Sequence, residues 1–272
     1  MLRINIWIIS FLITLFTAFF QRVTGPTYPI KDKIEISGEK VFYKFSRSCT
    51  SNKNDCILKI YSQKDMDFYV LYKRYKTKDI FSEIKFEREK GNNYYTAYLP
   101  SHPPAGKVEY EVYAVNEKKG KDKIYFLKKS VVTRFKGEVP NLILIPHIIF
   151  MFLFMLYTVK IFISANFSNL INKKEIFLNI FFLIAGGFIL GPITQYYAFG
   201  EFWTGFPFGK DLTDNKTLVM LFAWLWSGYC VIKDKNKKTA VNIAFILTFL
   251  TYLIPHSLLG SELDYSKYDA VK

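Results

Sequence analysis

The chain has 272 residues, enough for one or two modest domains, and 50% of them are hydrophobic and 18% aromatic. Its formal net charge of +14 raises the possibility of nucleic-acid binding. Residues 21–140 hold 25 Lys and Arg against 15 Asp and Glu, and the flanking apolar stretches predict that this segment is exported. Nucleic acid is therefore excluded as a partner. Anionic lipid headgroups and acidic envelope polymers remain as candidate partners of the positive charge. The alternative is a solvated Lys-rich surface that binds no partner.

The first predicted element is the apolar stretch NIWIISFLITLFTAFF (5–20), which follows Arg3. A short apolar stretch behind a basic residue is typical of a signal anchor or of a cleaved signal peptide. The following TAFFQRV lacks the small-x-small pattern of a cleavage site, which favours an uncleaved signal anchor over residues 1–20. Both alternatives export the segment that follows.

Residues 21–140 are predicted to form an exported, all-β antiparallel sandwich. Between 31 and 135, short segments alternate bulky with polar residues, and turn-rich stretches such as SGEK, GNN and HPPAGK separate them. The stretch LPSHPPAGKVEYEVYAVN (99–116) resembles the late strands of fibronectin type III and immunoglobulin-like domains, which supports the same fold. His102, in the turn of this stretch, is expected to be exposed and receives no role.

Cys49 and Cys56 flank the loop TSNKND between two predicted strands. Thiols on the exported side of a membrane tend to be oxidised, and a hairpin brings its ends within bridging distance. The sequence therefore predicts a disulfide between them. Two free thiols or a metal pair are the alternatives, although no further ligands lie nearby to complete a zinc site.

Residues 141–260 are predicted to form a transmembrane helical bundle. Apolar stretches of roughly the length that a helix needs to cross a bilayer, and whose backbone must then be helical, occur at about 141–163, 176–198, 217–232 and 240–259. Together with the N-terminal stretch they give four or five spans. The protein is thus expected to be polytopic, with the lipid bilayer as its first partner.

The distribution of lysines predicts the orientation of these spans. Lys173 and Lys174 lie in the loop after the first span of the bundle, and Lys233, Lys235 and Lys238 lie in the loop after the third. Short loops rich in Lys and Arg stay in the cytoplasm. The N-terminus is therefore predicted inside, and the β domain and the tail at 261–272 outside.

Two of the three histidines occur in the same tripeptide, Ile-Pro-His, at 145–147 and 254–256. The helices that carry His147 and His256 run in opposite directions, so both imidazoles are expected at a similar depth near the outer surface. Polar residues inside membrane spans are costly and often mark a function.

The outer loop at 194–216, within GPITQYYAFGEFWTGFPFGKDLTDNKT (191–217), is the most distinctive stretch. Residues 191–217 hold seven aromatic residues, four glycines, two prolines and the carboxylates Glu201, Asp211 and Asp214. Aromatic rings favour the bilayer interface, so the loop is expected to fold back onto the bundle. DLTDNKT also has the pattern of a helix N-terminus, where Asp214 is the expected cap.

Three interpretations of this outer rim remain open. In the first, the histidines are neutral and hydrogen-bonded within the bundle. In the second, His147 and His256 bind a haem, or bind a divalent metal together with Glu201, Asp211 or Asp214. In the third, an ionisable residue relays protons or serves quinone chemistry. The sequence contains no phosphate-binding loop, no Gly-x-Ser-x-Gly and no His-Glu-x-x-His.

Four segments together, QRVTGPTYPI, LPSHPPAGKVEYEVYAV, the long aromatic loop and IPHSLLGSELDY, resemble a family of bacterial polytopic envelope membrane proteins with an exported immunoglobulin- or fibronectin type III-like domain. The resemblance implies a bacterial inner membrane location and no particular activity. The expected function is non-enzymatic: the bundle anchors a β-sandwich that interacts with another membrane or envelope protein, and the outer rim binds a ligand. The alternative is a metal- or haem-binding redox membrane protein using His147 and His256.

Overall fold

The computed structural model describes residues 2–116, 122–255, 260 and 262–271, and it divides the chain into two compact units. The helical unit comprises Met1–Pro26 and Val139–Ser261, and the β unit comprises Thr27–Glu138 and Glu262–Lys272. The C-terminal tail therefore belongs to the same unit as the β domain. The chain passes from one unit to the other three times.

The described part of the β unit contains two sheets. The first has the order β1-β2-β4-β8-β7 with antiparallel pairing throughout, and its strands are β1 (Ile30–Ile36), β2 (Glu39–Phe45), β4 (Ile57–Tyr61), β7 (Glu87–Arg88) and β8 (Tyr94–Tyr98). The second has the order β3-β11-β9-β5-β6 with β10 beside β9, and its strands are β3 (Ser48–Thr50), β5 (Asp67–Arg74), β6 (Ser82–Lys85), β9 (Lys107–Asn116), β10 (Asp122–Tyr125) and β11 (Val131–Lys136).

The second sheet departs from the predicted all-antiparallel pattern. β3 pairs with β11 in parallel, with Phe135 opposite Cys49. After β2 ends in the first sheet, the chain crosses at once to the second, where β3 takes the same direction as β11. A parallel pair needs a long connection between its strands, and here almost the whole domain supplies it.

Side chains from both sheets fill one hydrophobic core. Along β2, Val41, Tyr43 and Phe45 point inward and are buried, whereas the residues between them are exposed. This period of two follows from the pleat of a strand and confirms the alternation that the sequence shows. The largest fully buried members of the core are Tyr110, Phe45, Phe68, Phe135, Ile36, Leu58 and Ile60.

The predicted disulfide between Cys49 and Cys56 is confirmed, with Cα atoms 5.0 Å apart. Cys49 lies in β3 of the second sheet, and Cys56 directly precedes β4 of the first. The bridge therefore joins the two sheets. By the chain-entropy argument, a bridge that closes so short a loop stabilises the fold by about 2–3 kcal/mol.

The helical unit contains six α-helices among the described residues. They are α1 (Leu2–Thr24), α2 (Asn141–Phe167), α3 (Lys173–Leu183), α4 (Gly191–Phe199), α5 (Leu212–Ile232) and α6 (Lys237–Leu253), and a π segment (Ile184–Leu190) joins α3 to α4. A short helix, α7 (Tyr265–Val271), belongs to the β unit. Three segments are long and apolar enough to cross a membrane: Asn5–Thr24, Asn141–Phe167 and Lys173–Phe199.

The helical unit is apolar outside and partly polar inside, which indicates a membrane protein. Bulky side chains such as Phe16 and Phe222 are exposed by 69% and 65%, respectively. In the interior, the Trp224 indole N–H donates to Thr248 at 3.0 Å. Lipid replaces water as the solvent of exposed apolar groups, while interior polar groups must find partners within the bundle.

The helix formed by α3, the π segment and α4 covers Lys173–Phe199, slightly more than the span predicted at about 176–198. It ends at Gly200, whose φ of 86° stops the helix. Within the π segment, a Cβ added to Gly187 would lie 2.8 Å from the Thr217 methyl, so only glycine permits this approach of α5. The predicted outer loop at 194–216 therefore shrinks to residues 200–211, because its flanks are helical.

Candidate functional site

His147 lies in α2 and is held by the π segment. Its Nδ1 is 2.9 Å from the Gly186 carbonyl oxygen. A carbonyl oxygen can only accept, so Nδ1 carries the proton, and the lone pair of the neutral ring resides on Nε2. The same carbonyl accepts the Gly191 N–H across the wide turn. The imidazole is half-buried and has a fixed orientation.

Asp214 anchors the aromatic loop to the first turn of α5. Its side chain is 5% exposed, and Oδ2 accepts the Thr204 backbone N–H at 2.7 Å. The same oxygen lies 3.3 Å from Gln195 Nε2 and 3.4 Å from Thr204 Oγ1. A buried carboxylate surrounded by donors is a strong electrostatic anchor. Asp214 thus connects α4, the loop and α5.

The loop folds tightly around the start of α5. A Cβ added to Gly205 would lie 2.5 Å from the Asp214 Cβ, so this position accepts only glycine. Next to it, the Phe206 N–H donates to Asn215 Oδ1 at 2.7 Å. These contacts hold residues 205 and 206 of the loop against the first turn of α5.

Asp211, not Asp214, is the N-cap of α5. Its Oδ1 accepts the Thr213 backbone N–H at 2.8 Å, whereas Asp214 lies inside the first turn. The sequence DLTDNKT contains two aspartates at the start of a helix. The second, Asp214, does not cap the helix because its side chain accepts the Thr204 N–H of the loop. Both carboxylates approach one hydroxyl, since Thr204 Oγ1 is 3.3 Å from Asp211 Oδ2 as well.

The structure brings together only some of the predicted site residues. Asp211 and Asp214 meet at Thr204, His147 contacts Gly186, and Glu201 is exposed. His256 lies outside the described residues. Within residues 2–116, 122–255, 260 and 262–271, no three side chains of His, Cys, Asp or Glu are grouped as a metal site.

The sequence alone did not single out Lys216, which lies in the first turns of α5. The side chain is 6% exposed, and Nζ donates to the carbonyl oxygens of Ile254 and Pro255 at 2.9 and 3.5 Å. α6 ends at Leu253, just before the proline, which leaves carbonyl groups without helical partners. Lys216 supplies that missing donor. The available signal was a lysine next to Asp214 at the start of an apolar helix.

A second polar cluster lies in the β unit, where the C-terminal segment docks. Tyr265 is 5% exposed, and its hydroxyl lies 3.3 Å from His102 Nδ1 and donates to the Lys107 carbonyl at 3.1 Å. The Arg74 guanidinium lies 5.0 Å from the centre of the Tyr265 ring and contacts Asp269 at 2.6 Å. Burial raises the pKa of Tyr265 to about 12, so the hydroxyl stays protonated.

His102 is half-buried in this cluster, whereas the sequence led us to expect an exposed turn residue. Its ring packs 5.3 Å from that of Phe135 and meets Tyr265 at its edge. In the same cluster, Glu262 Oε2 lies 2.8 Å from Lys107 Nζ. Tyr265, which covers His102, lies 163 positions further along the chain, so no local sequence pattern reveals the contact.

We expect docking of the C-terminal segment to weaken as the pH falls below about 6.5. Burial, and then the nearby Arg74, lower the pKa of His102. A histidine with a lowered pKa stabilises the docked state above its ordinary value and loses that contribution on acidification. Trypsin cleavage of the Lys267–Tyr268 bond, followed by mass spectrometry, should therefore accelerate from pH 7.5 to 5.5, after correction for the enzyme's own pH dependence.

The His102→Gln variant should show no such acceleration, because glutamine does not titrate. Although burial opposes it, contact with Lys107 and Lys76 lowers the pKa of Glu262, so that carboxyl titrates at more acidic pH. An equal acceleration in the variant would contradict the assignment to His102.

Comparison of the chain with protein-family models, with curated proteins and with solved structures finds no match. The functional argument therefore rests on the chain's own geometry.

Proposed function

We propose that this protein is a five-span membrane protein that holds a β-sandwich on the exported side of a bacterial inner membrane, where the sandwich binds an envelope partner. The observation that carries the proposal is that the segment after α6 belongs to the same compact unit as the domain after α1. Both must therefore lie on one side of the membrane. Residues 139–261 must then cross it an even number of times.

An even number of crossings by residues 139–261, together with α1, supports five spans. α2 and the helix at Lys173–Phe199 provide two crossings, so α5 and α6 either both cross or both stay on one side. α5 has 21 residues and α6 has 17. Their outward side chains, among them Phe222, Ile246 and Leu250, are apolar and at least 50% exposed. Lipid contact accounts for that exposure, so both helices are assigned as spans.

The shared hydrophobic core supports the sandwich. Two sheets whose inward residues fill one core have the layered organisation of sandwich domains. The disulfide that joins the sheets suits an oxidising compartment, which favours the exported side. Lys173 and Lys174, directly after the loop at 168–172, and Lys233 and Lys235, in the loop at 233–236, favour the cytoplasm for both loops, in agreement with the same orientation.

Reporter fusions test this orientation in the intact protein. A fusion after Lys238 should behave as cytoplasmic, and one after Lys272 should behave as exported. A fusion in the loop at 200–211 should also behave as exported. If the fusions after Lys238 and Lys272 report the same side, α6 does not cross the membrane and the five-span proposal fails.

The orientation of His147 favours a second candidate function, a metal- or haem-binding redox membrane protein. A ligating histidine commonly donates its other N–H to a backbone carbonyl, and Nδ1 does so toward Gly186. Nε2 is then the ligand atom, and His256 would supply a second imidazole. Such a group would provide electron transfer or Lewis acidity, while the chain would fix the ring by the Gly186 contact.

Protein purified from cells supplied with haem and metals tests this candidate. A Soret band or a stoichiometric metal that disappears in the His147→Ala, His256→Ala double variant would support it. His102→Ala is the matched control, since that histidine belongs to the β unit, and it should keep the signal. A preparation without either signal would contradict the redox function and leave the binding function in place.

A further inference from the structure

A groove of about 800 Å³ lies on the outward face of the first sheet. Residues of β1, β2, β4 and β8 line it. Because side chains alternate along a strand, the outward residues of neighbouring strands form rows that run across the sheet. Two such rows are next to each other here, one aromatic and one basic.

The aromatic row consists of Phe42, Tyr61 and Tyr94. Tyr61 is paired with Phe42 on one side and with Tyr94 on the other, and the ring centres are 6.3 and 5.2 Å apart. Phe42 is 48% exposed and Tyr94 is 43% exposed. Three rings directed outward on three neighbouring strands form an apolar strip of the kind that marks an interaction site.

The lysine row consists of Lys31, Lys44 and Lys59, two positions further along the strands. Lys44 is paired directly with Lys31 and with Lys59. Like charges opposite each other in a sheet are unfavourable, so the unliganded face carries repulsion that an anion would relieve. Lys33 adds a fourth ammonium group, and among the described residues that line the groove only Asp32 is acidic.

These lysines differ from three lysines of the second sheet, although Lys123 and Lys136 of that sheet also form no ion pair among the described residues. There, Lys73, Lys85 and Lys107 each contact a carboxylate, at 3.0, 2.7 and 2.8 Å. Over the described part of the chain, the ion pairs include none of the four groove lysines. Uncompensated positive charge is therefore concentrated beside exposed rings, and a solvated lysine-rich surface does not require that arrangement.

We propose that this face binds a linear acidic polysaccharide. Its sugar rings would lie against the aromatic row, and its carboxylate or phosphate groups would lie against the lysine row. Neighbouring strands are about 4.8 Å apart, close to the length of one pyranose residue, so successive sugars can follow successive strands. A concave groove also suits a polymer better than the flat surface of a bilayer.

The inference rests on the proposed function, because rings combined with a basic groove also suit single-stranded nucleic acid. A β unit on the exported side does not meet the nucleic acid of the cytoplasm. The reporter fusions therefore distinguish failure of the proposed orientation from failure of the proposed polysaccharide binding. A β unit found in the cytoplasm would overturn both proposals, whereas an exported β unit that binds no acidic sugar polymer would overturn only this one.

Titration of the detergent-solubilised full-length protein with oligogalacturonate tests the inference. We expect binding that weakens with salt, and no binding of neutral dextran. Lys44→Gln combined with Lys59→Gln should lower the affinity about tenfold, as loss of two exposed ion pairs predicts, and should flatten the salt dependence. Phe42→Ala should lower the affinity about tenfold with the salt dependence unchanged.

The double variant Lys128→Gln, Lys129→Gln removes the same charge from exposed positions elsewhere in the β unit and should bind as the wild type does. Polyglutamate, oligothymidylate and vesicles containing phosphatidylglycerol are the competing ligands. Equal binding of polyglutamate with no effect of Phe42→Ala would overturn sugar recognition. Tighter binding of oligothymidylate or of the vesicles would overturn the choice of polymer, and wild-type affinity in the Lys44, Lys59 variant would overturn the site.

Discussion

The Tyr265→Ala variant is expected to release the C-terminal segment from the β unit. Replacing a buried aromatic residue by alanine costs about 3–4 kcal/mol, and Tyr265 is 5% exposed beneath the Arg74 guanidinium. The Tyr265 ring supplies the buried apolar contact of the segment, whose ion pairs Arg74–Asp269 and Lys107–Glu262 are partly exposed. The rate of trypsin cleavage of the Lys267–Tyr268 bond, followed by mass spectrometry, should rise about 100- to 1,000-fold.

Two further variants distinguish the contribution of the Tyr265 ring from that of its hydroxyl and from a general loss of stability of the β unit. Tyr265→Phe keeps the ring but loses the contacts with His102 and Lys107, and it should accelerate cleavage only about tenfold. Tyr125→Ala makes the same substitution at a residue that is 43% exposed in β10, and it should leave the rate unchanged. Similar rates in Tyr265→Ala and Tyr125→Ala would show that the docked segment does not depend on Tyr265.

The Asp214→Ala variant is expected to unfold the aromatic loop while α5 persists. Removal of the carboxylate takes away the acceptor of the half-buried Thr204 N–H and the weaker of the two contacts of the Gln195 amide. Loss of a hydrogen-bonded buried charge costs about 3 kcal/mol. Cleavage after Lys210, which is exposed within the loop, should therefore accelerate about 100-fold.

Asp211→Ala provides the matched control. It removes a carboxylate three positions earlier, whose main contact is the Thr213 cap, and a lost N-cap costs about 1 kcal/mol. The acceleration should then be about fivefold. Asp214→Asn keeps an acceptor oxygen and should fall between the two alanine variants. An Asp211→Ala effect as large as that of Asp214→Ala would contradict the role of Asp214 as the anchor of the loop.

Local patterns in the sequence predicted the elements well. The alternation in VFYKF identifies which residues of β2 face the core, because the pleat has a fixed period of two. Cys49 and Cys56 could be paired because only a short loop separates them. The approximate helix positions followed from apolar length, and the span predicted at about 176–198 continues through its glycines and Pro192 as a π segment and then α4. The ends were less accurate, since α5 begins at Leu212 and α6 ends at Leu253, against predicted limits of about 217 and 259.

Partners that are distant in sequence could not be predicted in the same way. The alternation of residues in β3 does not indicate that this strand pairs with β11 in parallel. The residues next to Tyr265 in the sequence do not indicate that its hydroxyl contacts His102. Periodicity states which face of an element is buried, but not which element covers it. Lys216 was missed for the same reason, since its acceptors are the carbonyl groups at the end of another helix.

The docked C-terminal segment also sets an order of events during synthesis. Thr27–Glu138 leave the ribosome well before Glu262–Lys272, yet both contribute to one compact unit. The surface that Tyr265 covers, around His102 and Phe135, therefore stays uncovered until residues 262–271 have been made. A chain whose synthesis stops before residue 262 therefore keeps this apolar surface open to contacts that the docked segment excludes.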